Sequence, residues 1–140
     1  MTNTNSPVQL RRLLWVGPLA ILASVIGVLI VRIIAVAVLQ PNPQPMSLGW
    51  GAPIMFTVVL VAGAVLVFAL VARFARNPIR TYQIIAFIVL LFSFLPDVAY
   101  AQSSMPGASW PVAIALIIMH VVAWATCVLM LVKLSAAENK

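Results

Sequence analysis

Residues 13–39 read LLWVGPLAILASVIGVLIVRIIAVAVL, an apolar run of 27 residues that admits a single charge, Arg32. As a helix rising about 1.5 Å per residue it would be about 40 Å long. That exceeds the ~30 Å hydrocarbon core of a bilayer, so the helix must tilt or project at one end. Arg11-Arg12 supply a basic start of the kind that opens a signal peptide. The run is nevertheless longer than the usual apolar region of about 7–15 residues, and it continues past any small-residue cleavage site. It reads as a retained first transmembrane helix. Pro18 lies near its start, where a missing N–H costs least. Ala20, Ala23, Ser24 and Gly27 make a stripe of small residues that lets a neighbouring helix come close.

The remainder of the chain has the same character. Of its 140 residues 64% are hydrophobic and only 7% charged, with a mean hydropathy of +1.17. A soluble domain carries about 25% charged residues, so this chain is built for lipid. One domain fits the length. The net charge of +6 does not indicate nucleic acid, because the bases lie at the ends of apolar runs and form no patch interleaved with aromatics.

Alternating prolines in Gln40-Pro41-Asn42-Pro43-Gln44-Pro45 end the first helix and favour extended geometry. Trp50 belongs to an interfacial aromatic belt. A second helix is expected over 53–72, opened by Pro53 in its first turn. Arg73, Arg76 and Arg80 crowd the short connection that follows, and a third helix is expected over 81–97. Pro96 removes the hydrogen bond to the Phe92 carbonyl and should end or kink that helix beside Asp97. A fourth is expected over 111–132. The fold class is therefore all-α: one polytopic four-transmembrane-helix bundle with short loops, residues 1–12 and 133–140 forming tails.

Seven of the eight bases, Arg11, Arg12, Arg73, Arg76, Arg80, Lys133 and Lys140, fall on one side of such an arrangement. The two loops on the other side have none. By the positive-inside rule the tails are cytoplasmic and the protein is a multi-pass component of the cytoplasmic (inner) cell membrane. Arg80, the apolar stretch 84–95 and Ala99-Tyr100-Ala101 also imitate a basic, apolar, A-x-A signal. An alanine-rich helix end accounts for them as well.

Four polar residues are candidates for an intramembrane cluster: Arg32, Ser93, Asp97 and His120. Asp97 is the only acid outside the C-terminal tail, and a carboxylate at that depth must reach water or a cation. Arg32 lies about 10 Å below the outer end of its helix, at a depth overlapping that of Asp97. Pairing of the two would hold the first and third helices together; the alternative is that each snorkels separately to the headgroups. Ser93 shares the face of Asp97 at i−4. His120, near the midplane, is continued along its face by Trp124 and Cys127. It either bonds a hydroxyl such as Ser93 or Ser24 as interhelical glue, or relays protons with Asp97, or ligates a haem.

Cys127 is alone, so no intrachain disulfide or CxxC motif exists. A single His leaves no multi-histidine box within one chain. No phosphate loop, nucleotide fingerprint or serine-nucleophile elbow is present. These residues call for no catalytic site, no metal and no cofactor, and Met119, Met130, Phe87, Phe92 and Phe94 read as helix contacts.

The pattern Leu91-Phe92-Ser93-Phe94-Leu95-Pro96-Asp97, followed by Leu116-Ile117-Ile118-Met119-His120, resembles a family of uncharacterised bacterial four-helix integral membrane proteins. The resemblance covers most of the chain, including the polar loop after helix one and the bases between helices two and three. Ser93, Pro96, Met119 and His120 are its family-like positions. It implies a fold and a location and no mechanism.

The functional expectation is a non-enzymatic subunit, scaffold or assembly factor in the membrane. Its partners are the lipid bilayer and a second copy or a larger membrane complex. An alternative is a small homo-oligomeric transporter with Asp97 and His120 as a proton relay. Small multidrug exporters match in size and helix count, but they depend on a membrane-embedded glutamate in the first helix, where this chain has Arg32. A haem protein using His120 is the third reading.

Overall fold

The computed structural model describes residues 8–135. After a 3-10 turn over Leu10–Arg12, the chain forms α1 (Leu13–Leu39), a second 3-10 turn (Met46–Leu48), α2 (Gly51–Phe74), α3 (Pro78–Ala101) and α4 (Trp110–Ser135). No strand occurs among the described residues. All four long helices are long and apolar enough to cross a membrane.

Local chemistry sets the ends of these helices. Gln40 closes α1 in the left-handed conformation at φ 41°, and its N–H reaches back to the Val36 carbonyl. Pro41 enforces the exit, since a residue before proline is barred from the helical region. Pro78 opens α3 at its first turn, where its missing N–H would be unpartnered in any case. The connection 75–77 between α2 and α3 is short, and helices joined so tightly are antiparallel neighbours.

Helices α2, α3 and α4 each extend a few residues beyond their expected bounds. The clearest difference is at Pro96, which neither ends α3 nor stops it at Asp97; the helix runs on to Ala101. Pro96 costs one backbone bond near a helix end, and its ring lies on the exposed face, where it displaces no neighbour. Ala99-Tyr100-Ala101 form the last turn of that helix.

Around the bundle the order is α1–α2–α3–α4, with α1 against α4 the most extensive interface. Helices α1 and α3 lie across the diagonal. The close α1–α4 contact comes from the small-residue stripe: Ala20 and Ser24 are fully buried, and a Cβ on Gly27 would lie 2.9 Å from Val122 Cγ1. Outward faces carry large apolar side chains, including Leu22, Ile26, Leu60, Phe92 and Leu129. In water such a surface would aggregate; in lipid it is the solvated face.

Two apolar clusters fill the interior. One gathers Leu13, Val16, Phe68, Tyr82, Cys127 and Leu131, with Phe68 and Tyr82 edge to face at 4.7 Å. This end also joins the two described termini, through Gln9 N–H and the Ser135 carbonyl at 3.0 Å. The other cluster consists of Val28, Leu48, Val112 and Met119. Leu48 belongs to a loop, yet it is completely buried. Its partner Val28 lies eleven residues before the end of α1, about 16 Å down the helix. The loop after α1 thus folds back into the mouth of the bundle and plugs it.

A second loop locks this plug. Gly107 has φ +77°, and its α-carbon sits so close to the proline segment that an added Cβ would lie 2.7 Å from the Pro43 carbonyl oxygen. Only glycine accepts both the backbone angle and the approach.

Candidate functional site

Arg32 lies on the buried face of α1, in the stripe of Ser24, Val28 and Ala35. Its Nε donates to the Leu48 carbonyl at 2.9 Å, and its guanidinium stacks 3.8 Å above the centre of the Trp50 ring. Gln44 Nε2 donates to the same carbonyl at 3.1 Å. The arginine is the clamp that holds the plug in place.

Its expected pairing with Asp97 does not form. Asp97 instead lies against His120, Nε2 to Oδ2 at 3.6 Å, with the two side chains 30% and 10% exposed. The bundle order supplies the reason: Arg32 and Asp97 occupy diagonal helices, whereas α4 packs directly on α3. Overlapping depth placed the two charges at one level but said nothing about which way each faced.

The serines also differ from expectation. Ser93 donates to the Leu90 carbonyl at 2.6 Å within its own helix, one turn before Asp97. Ser24 donates across the α1–α4 interface to the Ala123 carbonyl at 3.4 Å. Neither hydroxyl meets His120, because each has a backbone carbonyl within reach. Of the four candidates, the structure brings together Asp97 and His120, leaves Ser93 beside them with its proton committed, and sends Arg32 to the loop.

The Asp97–His120 contact is slightly too long for a strong hydrogen bond, and Asp97 Oδ2 is buried without a hydrogen-bond partner. A carboxylate beside an imidazole can hold one proton between them, and that arrangement suits either a neutral interhelical contact or a relay. His120 is the more exposed member of the pair. Trp124 and Cys127 share its helix face, but Cys127 faces Tyr82, Sγ to Oη 3.7 Å. Trp124 stacks edge to face with Phe87 at 6.3 Å.

Among the described residues no three His, Cys, Asp or Glu side chains gather as a metal site. Clefts at the surface lie at the basic end, one bounded by Gln9, Arg11, Arg12, Leu14 and Trp15, another by Asn77, Pro78, Ile79, Arg80 and Gln83. The elements that sequence reasoning missed are Leu48, Gln44 and Gly107. The alternating prolines indicate only a helix end and extended geometry, and only Gly107, a glycine in a polar loop, carries any signal of close approach.

The profile of a family of unknown function (DUF6069) matches residues 4–137, and the chain belongs to that family. Neither a curated protein nor a solved structure matches it.

Proposed function

We propose that this DUF6069 protein is a non-enzymatic subunit, scaffold or assembly factor of the cytoplasmic membrane, with both tails on the cytoplasmic side. The observation that carries the reading is the closed outer end. Leu48 fills the mouth of the bundle, Arg32 and Gln44 tie its carbonyl down, and Gly107 presses on Pro43 and Pro45. A bundle sealed in this way offers its neighbours a rigid outer cap and an apolar flank, which suits assembly. The orientation is supported by charge. Arg11, Arg12, Arg73, Arg76, Arg80 and Lys133 stand at the opposite end, and bases collect on the cytoplasmic side.

A second reading rests on the Asp97–His120 contact at 3.6 Å: a homo-oligomeric transporter whose proton relay runs along the α3–α4 seam, outside the sealed centre. Affinity purification in mild detergent, with mass spectrometry of co-purifying proteins, tests the first reading. A stable set of membrane partners is expected, and purification as a lone chain counts against it. Flux in proteoliposomes that Asp97→Asn and His120→Ala both abolish, with folding intact, would replace it by the second.

A further inference from the structure

Arg32 carries five N–H donors, is 7% exposed, and among the described residues uses only Nε–H, on the Leu48 carbonyl. Trp50 covers one face of the guanidinium. The four Nη–H donors meet no acceptor among the described residues. They are not sealed in either, because the buried polar atoms without a partner are Ser47 Oγ, Asp97 Oδ2, Trp124 Nε1 and Ser135 Oγ. The charge of Arg32 is likewise unanswered. Its loop, 40–50, contains no acid, and Asp97 is engaged with His120 across the bundle. A guanidinium held this deep by a neutral carbonyl and a ring is incomplete without an anion.

We propose that the Nη edge of Arg32 is a binding site for a phosphate group. The planar fork matches two phosphate oxygens at once. Trp50, 55% exposed, is the residue type that sits at headgroup level, so the phosphodiester of a phospholipid is within reach of the same edge. Binding there would brace the Leu48 plug, since the ligand and the loop carbonyl share one guanidinium.

The full chain is purified in mild detergent, stripped of lipid, and its thermal unfolding followed by thiol labelling of Cys127, which is 3% exposed when folded. Phosphatidylglycerol, diacylglycerol with the same chains, and diacylglycerol with inorganic phosphate are added in parallel. Stabilisation by the phospholipid beyond diacylglycerol assigns the site to a headgroup. Equal stabilisation by inorganic phosphate assigns it to a free anion. No gain from either overturns the proposal. Arg32→Lys keeps the charge and loses the fork, and should weaken the phosphate effect about tenfold, equivalent to about 1.4 kcal/mol. Arg76→Lys at the basic end should leave it unchanged; equal loss in both variants refutes a site at Arg32. If Arg32→Lys does not fold, a headgroup-spin-labelled phospholipid at one molecule per chain must quench the Trp50 component of wild-type fluorescence, taken as the difference from Trp50→Phe. Absence of that quenching is equally fatal.

Discussion

Replacing Gly107 by alanine tests the loop-closed end of the bundle most directly. Two costs combine at this position. The backbone holds φ +77°, and an L-residue with a Cβ pays about 1–2 kcal/mol for the left-handed region. The new Cβ would also stand 2.7 Å from the Pro43 oxygen and 3.0 and 3.1 Å from Pro45 Cδ and Cβ. Those neighbours are a backbone carbonyl and a ring, and neither can rotate away as a long side chain would. The two loops must separate, at about 1–3 kcal/mol for overpacking of this kind. The sum is about 2–5 kcal/mol. Unfolding by graded addition of SDS to detergent-solubilised protein, read by Cys127 labelling, gives the shift. Gly63→Ala is the control: nothing lies within 4 Å of its added Cβ, and in a helix interior alanine should stabilise by up to about 1 kcal/mol. If Gly107→Ala shifts the midpoint no more than Gly63→Ala, the loops are not packed as described and the sealed mouth is wrong.

Leu48→Ala should cost about 2–5 kcal/mol, more than loop positions normally do, by emptying the space among Val28, Val112 and Met119; a loss within experimental error in the same titration would remove the plug. A double-mutant cycle on Asp97→Asn and His120→Ala should show non-additivity of about 0.5–3 kcal/mol, while Arg32→Gln with Asp97→Asn should be additive to about 0.5 kcal/mol. The reverse pattern would restore the diagonal pairing. Gly27→Ala should destabilise by about 1–3 kcal/mol through the 2.9 Å approach to Val122, and adding Val122→Ala should recover part of it. A single Gly27→Ala variant as stable as the parent would show that α1 and α4 are not so close.

The number of helices, their approximate bounds and the basic end were legible in the residues alone. Length and apolarity decide whether a segment can lie in lipid, and neither depends on its neighbours. Residues 13–39 form α1 with the bounds the apolar run implies, and the small-residue stripe pointed to the face that meets α4. The partners of the polar side chains needed the tertiary structure. In a helix apolar on every side, periodicity does not mark the inward face, so depth could align Arg32 with Asp97 while rotation set them on opposite corners. The plug was equally hidden. Leu48 is one apolar residue in a proline-rich loop, and it became core only because α1 and α4 left a recess that the loop could enter. Apolar runs determine that the rods are long and apolar enough to cross a bilayer; only the packed assembly determines which side chains meet between them.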